Sequence, residues 1–340
     1  MNHCQVVPRV ILSVFIAVGI GGCGPLTMTI GGAAGNQKLK TKVVEADRGW
    51  QSNRVAMIDV SGLIYNAHKS GVFRRGENPV SLLHEKLELA RRDTRTKAVI
   101  LRLNTPGGTV TASDAMYRQV LRFKKRSGKP VIALMMDVTA SGGYYLACAA
   151  DKIICYPTSI TGSIGVIVQT LSVKPALDRF GIRAEAITSG SNKDIGSPLS
   201  EMTGEKRAVL QALVDDFYNQ FASVVRQARP AIDHAQFPQI ADGRIFSGAE
   251  AVKVGLVDEV GDLTEAFKVA KNLAGIKWAD LILYHRPYDY IGSPYAGSSR
   301  SGRLISDETR TQINFAQFNF SESFGQASTG FFYLWTGASP

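Results

Sequence analysis

Cysteine is scarce: the 340 residues hold four, at positions 4, 23, 148 and 155, with no Cys-x-x-Cys pair and no Cys/His spacing. That excludes a disulfide framework and gives no support for a metal site, and no motif calls for a cofactor. Cys148 and Cys155 stand in apolar surroundings and read as buried thiols, with a disulfide between them as the alternative. Histidine is also rare. His3, His68, His84, His234 and His285 lie outside any Gly-rich turn and beside no motif acid, so a Ser/His/Asp triad is poorly supported. The net charge of +10 and pI near 9.4 are not gathered into a patch: no basic run exceeds Lys124, Lys125, Arg126. Nucleic acid is therefore not the expected partner, and attraction to anionic lipid headgroups accounts for the balance equally well. Long apolar runs are missing too. The stretch Val10 to Ile20 is too short to span a bilayer by itself.

What that stretch does resemble is a secretory signal: Arg9, a short apolar core, then small residues and Cys23. Ile20-Gly21-Gly22-Cys23 is similar to a lipoprotein cleavage box, which would make Cys23 the lipidated first residue. An uncleaved anchor is the rival reading, because no charge occurs between Arg9 and Lys38 and the apolar character continues from Leu26 to Ala34. Under both readings the rest of the chain is exported. Residues 1–22 are thus expected as signal or membrane anchor, 23–52 as a tether, 53–285 as one domain, and 286–340 as a flexible extension whose aromatic end, Phe331 to Trp335, is free to dock on a groove, a neighbour or lipid.

Within the domain, apolar runs alternate with helical periodicity. Val55 to Val60, Ala98 to Leu103 and Pro130 to Met136 read as strands, with shorter ones expected at 152–156, 166–169 and 184–188. Leu82, Leu83, Leu87 and Leu89 follow the cap signal Asn78-Pro79, and a second helix runs from about Ser113 to Lys125. A long amphipathic helix covers Thr203 to Arg229, shorter ones flank 255–261, and Leu281 to Tyr284 reads as a closing strand. Such alternation predicts an α/β fold with a mainly parallel sheet and helical cover.

Two Gly-rich segments follow strand ends. Asn104-Thr-Pro-Gly-Gly108 reads as a tight turn or as backbone amides turned toward a ligand, the requirement of an oxyanion hole. Thr139-Ala-Ser141-Gly142-Gly143-Tyr-Tyr145 places a serine at a strand-to-helix junction, where it serves as a helix cap or as an exposed nucleophile. With no histidine available, a desolvated lysine is the alternative base. Lys193, in the loop Ser189-Gly-Ser-Asn-Lys-Asp-Ile-Gly196, is the candidate, against the ordinary reading of a solvated surface lysine.

The ordered set Leu101–Gly108, Ala140–Tyr145, Ala150–Ile153, Thr161–Val166, Ser189–Ile195 and Ala241–Gly248 closely resembles the signal peptide peptidase A, or protease IV, family. The resemblance spans about 53–285 and is to the short, single-unit members. It implies the spiral α/β fold shared with caseinolytic protease and crotonase-type enzymes. It also implies a serine endopeptidase that cuts remnant signal peptides and other hydrophobic peptides, tethered on the extracytoplasmic side of a bacterial membrane and assembled as a homo-oligomeric ring. By position it makes Ser141 the nucleophile, Lys193 the general base, the amides of Gly108 and Gly142 the oxyanion donors, and Ser163 the hydroxyl that holds the lysine amine. Asp194 is expected to face away from the amine if the local chain is extended. Two competing functions remain: a crotonase-like acyl-CoA enzyme, and a catalytically idle scaffold of the same fold.

Overall fold

The computed structural model describes residues 38–47, 53–67, 77–287, 291–296 and 330–336. Residues 1–22 and Cys23, the expected anchor and lipidation point, lie outside the described residues. Among those described, no helix is long and apolar enough to cross a membrane.

Along the chain, β1 (Lys40–Glu45) and β2 (Arg54–Ser61) precede helix α1 (Pro79–Arg92), and β3 (Thr96–Thr105) leads through the short β4 (Gly107–Thr109) into α2 (Val110–Ser127). Strand β5 (Val131–Ala140) enters α3 (Gly142–Ala147), followed by β6 (Lys152–Cys155), β7 (Ile160–Gly162), the short α4 (Lys174–Arg179) and the long α5 (Gly204–Ala228). Then come α6 (Phe237–Ile240), β8 (Ile245–Ser247), α7 (Gly248–Lys253), β9 (Glu259–Val260), α8 (Leu263–Leu273), β10 (Asp280–His285) and, at the end of the tail, β11 (Phe332–Leu334).

Local chemistry sets the helix limits. The Asn78 side chain accepts from the Val80 and Ser81 amides while Pro79 occupies the first turn, a cap that contributes about 1 kcal/mol. Helix α2 stops at Gly128, which takes the left-handed conformation at φ 66°. Thr203 caps α5 by accepting from the Lys206 amide.

The main sheet runs β1-β10-β2-β3-β5-β6-β9, parallel throughout except for β1 on β10. Period-two alternation divides its side chains between two cores. Ile58, Leu101, Leu103, Ala133 and Met135 join one core with α1, α2, α3 and α5; Met57, Ile100, Ile132 and Leu134 join the other with Leu263, Ala266, Phe267 and Ala270 of α8. Leu101 has no exposed surface and sits mid-strand in the larger core. Its replacement by alanine is expected to lower the unfolding free energy by about 2–5 kcal/mol, measurable as a lower urea midpoint at constant slope.

Strand β5 changes partners along its length: 132–135 pair with β6, and 138–140 pair with β7. Two threonines fix this junction, Thr139 Oγ1 donating to the Leu103 carbonyl at 2.8 Å and Thr161 Oγ1 to the Thr139 carbonyl at 2.7 Å. The ends of β3, β5 and β7 are thereby held side by side.

Several expectations are corrected. No strand forms at 184–188, where Ile187 is fully exposed, and 166–169 provides only a single bridge at Ile167. Residues 40–45, inside the expected tether, form β1 because the free edge of β10 pairs with them. Cys148 and Cys155, by contrast, are free and buried as read from the sequence, with no disulfide between them; burial pushes their thiols up to about 12 and about 11. The tail does not end as a flexible extension: 330–336 are packed on the domain, with Tyr333 wholly buried.

Candidate active site

Ser141 lies between the last residue of β5 and the first of α3, with φ 51° and ψ −114°. A serine there carries strain of order 1–3 kcal/mol, tolerated because both flanks are fixed. Its amide donates to the Gly162 carbonyl at 2.8 Å, and its carbonyl accepts from the Tyr145 amide at 2.9 Å. The hydroxyl makes no capping bond to α3, which disposes of the helix-cap reading. Oγ is buried and has no hydrogen-bond partner among the described residues. A buried hydroxyl left unpaired is costly, and at a strained turn it makes Ser141 a candidate nucleophile.

Beside it stand the two glycine segments. Gly107 has φ 103°, which a side chain would resist, and a Cβ on it would overlap the Tyr333 carbonyl oxygen and lie 2.7 Å from the Gly142 nitrogen. A Cβ on Gly108 would overlap the Ile64 carbonyl, and Ile64 and Gly108 form a parallel bridge. A Cβ on Gly142 would overlap Ser113 Oγ and sit 3.1 Å from the Tyr333 oxygen. The backbones of 107–108 and 142 thus converge on one small space next to Ser141. Amides so placed can stabilise charge growing on a carbonyl oxygen under attack.

Ser163 follows β7 and shares the unusual backbone of Ser141, with φ 51°. The register Ala140↔Gly162 puts the two serines at neighbouring strand ends, and the Ser163 amide donates to the Arg244 carbonyl at 2.7 Å. Gly108, Gly142, Ser141 and Ser163 are therefore brought together.

Lys193 is not. It lies exposed in a run of turns, and its amine has no partner among the described residues. The extended conformation expected around Asp194 does not form, yet that carboxylate is dealt with in another way. Lys206 binds it at 2.8 Å, and this hydrogen bond holds Asp194 below the usual carboxylate range.

Sequence reading did not single out the tail strand as part of this site. β11 pairs antiparallel with β4, Tyr333 opposite Gly108, while Phe332 bridges Ile167 on its other side. The run of aromatics from Phe331 to Trp335 was the available signal. No group of His, Cys, Asp and Glu among the described residues is arranged to hold a metal.

Comparison with known proteins bears on the same segments. Residues 123–277 match the model of peptidase family S49. A putative protease of Methanocaldococcus jannaschii is 34% identical over 234 residues, covering 68% of this chain and 74% of the relative. A putative protease of Synechocystis is 34% identical over 224 residues, 66% of this chain and 75% of the relative. A putative signal peptide peptidase SppA of Enterococcus faecium is 29% identical over 292 residues, 85% of this chain and 84% of the relative. With these proportions of matched length, and with the serine elbow and glycine amides inside a mainly parallel α/β sheet, the chain belongs to peptidase family S49, the serine endopeptidases related to signal peptide peptidase A and protease IV.

Proposed function

We propose that the chain is a membrane-tethered endopeptidase that hydrolyses remnant signal peptides and other hydrophobic peptides through a Ser141/Lys193 dyad. The observation that carries this is the Ser141 hydroxyl: buried, without a partner among the described residues, on a strained turn, and flanked by the Gly108 and Gly142 segments. In the reaction the neutral Lys193 amine takes the Ser141 proton as Oγ bonds to the peptide carbonyl carbon, and the Gly108 and Gly142 amides receive the oxyanion. Collapse breaks the C–N bond, and the lysine returns its proton to the leaving amine. Water then attacks the ester, giving up a proton to Lys193, and Ser141 recovers its own.

A base must reach the nucleophile, and in a single chain Lys193 is exposed, with no partner for its amine among the described residues. Around it the segment 171–213 shows Leu171, Phe180, Ile182, Ile187, Leu199, Val209 and Leu213 to solvent. Apolar area of that kind suits an interface between copies. In a ring, the loop of one subunit would lie over Ser141 of the next, and Ser163 would hold the incoming amine. Residues 1–22, with Cys23 as the lipidated residue or as part of an anchor, would keep the domain on the extracytoplasmic side of the membrane, where apolar peptides are locally concentrated.

Treatment with a fluorophosphonate is expected to add one adduct per chain, and peptide mapping should place it on Ser141. An adduct on a different serine, or none at any reagent concentration, would remove the assignment.

A further inference from the structure

Positive charge that is scattered along the sequence is gathered by one helix. Helix α2 carries Arg118, Arg122, Lys124, Lys125 and Arg126 against a single acid, Asp114. Residues three or four apart share a helix face, and Arg118, Arg122, Lys125 and Arg126 all fall on the exposed one. Lys124 instead pairs with Asp151 at 2.9 Å. Cations at a helix end ordinarily answer the carbonyl dipole, but that effect fades within the last turn, and Arg118 and Arg122 precede it.

Helix α1 packs beside α2 and leaves a groove between the two. The groove has an apolar floor of Leu87 and Phe123, and Gln119 ties the helices together by donating to the Val80 carbonyl at 3.3 Å. His84, Arg122 and Arg126 stand along it. The acids nearby are already taken: Glu88 by Arg91 at 3.0 Å and Arg92 at 3.5 Å, Glu85 by Arg286, and Asp114 by Arg118 at 2.6 Å. No ion pair among the described residues uses Arg122, Lys125 or Arg126. Arg122 donates only from Nε, to the Arg118 carbonyl at 3.3 Å, so its two terminal amino groups have no partner among the described residues.

What stands among the cations decides which anion suits them. Leu121 is 38% exposed in the middle of the stripe, while the rings of α2, Tyr117 and Phe123, are buried. Single strands of nucleic acid are gripped by stacking bases on exposed rings, and this face offers none. A basic helix face with an apolar residue at its centre is the build of a surface that lies on lipid headgroups, the leucine reaching toward the acyl boundary. Guanidinium groups meet phosphate oxygens two at a time.

We infer that the outer face of α2, with the groove it shares with α1, docks on the headgroup phosphates of an anionic phospholipid bilayer. This contact is separate from residues 1–22 and from Ser141, and it depends on neither assignment. Each Lys or Arg brought to an anionic surface strengthens binding about fivefold, so Arg122 and Arg126 together contribute about 25-fold. A domain held by a tether alone swings freely; this contact fixes which face it turns to the bilayer.

The test reconstitutes the full chain in vesicles of phosphatidylcholine alone and of phosphatidylcholine with phosphatidylglycerol in equal parts, and follows acetylation of lysine amines by mass spectrometry. Lys125 reports on the stripe, and Lys253 on α7, with its side chain 74% exposed, is the reference. Lys125 is expected to react severalfold more slowly in the anionic vesicles, and Lys253 equally in both. The difference should vanish at about 1 M salt, where the screening length falls to about 3 Å. Arg122→Gln with Arg126→Gln should return Lys125 to its rate in neutral vesicles, whereas Arg122→Lys with Arg126→Lys, which keeps the charge, should preserve the protection. Equal Lys125 rates in the two kinds of vesicle overturn the inference, whether fast, as on a bare face, or slow, as under a second copy of the chain. Protection that survives the glutamine pair overturns it too. So does protection matched by inorganic phosphate or by a DNA fragment added to neutral vesicles, which would make the face a site for those anions and not for lipid.

Discussion

Ser141→Ala is expected to reduce peptide hydrolysis by about 10⁴-fold or more, because it removes the attacking oxygen. The accompanying change in stability is what separates a nucleophile from a structural serine. Oγ has no hydrogen-bond partner among the described residues and does not cap α3, so its removal deletes an unpaired buried hydroxyl, a group that costs about 1–3 kcal/mol to leave unsatisfied. The strain at φ 51° is unchanged, since alanine resists that conformation as serine does. Thermal unfolding should therefore occur at the same or a slightly higher temperature. Unaltered hydrolysis together with a lower melting temperature would mean that Ser141 only supports the turn.

Lys193→Ala is expected to be nearly as damaging, and the pair of dead variants gives a sharper result together than apart. If Lys193 acts on a neighbour's Ser141, Ser141→Ala and Lys193→Ala chains co-assembled in equal amounts should regain activity. Random mixing puts an intact serine beside an intact lysine in about a quarter of the sites. Activity that stays at the level of the separate variants would exclude a base supplied across the interface. The geometry makes the contrast strong: in one chain Lys193 sits in exposed turns, whereas a useful base must be dry enough to shed a proton about three units below 10.4. Asp194, adjacent in sequence, does not counteract that, since its charge is already matched by Lys206.

How far these features could be read from the sequence depended on whether their causes were local. The buried strands β2, β3 and β5 are continuous apolar runs, and α1 and α5 carry their caps at Asn78 and Thr203, so each announces itself within a few residues. Ser141 and Gly108 could be singled out as candidates because each sits in a glycine pair after a strand, within a motif that resembles the family's. What escaped was decided by distant partners. β1 exists because β10 offers a free edge, and the apolar alternation at 184–188 gives no strand because no edge is offered there. β11 depends on β4, more than 200 residues earlier, and the separation of Lys193 from Ser141 depends on how a long exposed segment leaves the sheet.

Beyond the pairing of β11 with β4, four backbone hydrogen bonds hold the strand at the end of the tail, two with Pro106 and Val110 on either side of β4 and two with Ile167. None of the four consults a side chain. Any extended peptide can make them, so grip is nearly independent of composition. A surface built this way suits a degrader that must accept many unrelated fragments while sparing folded chains, whose strands are already paired.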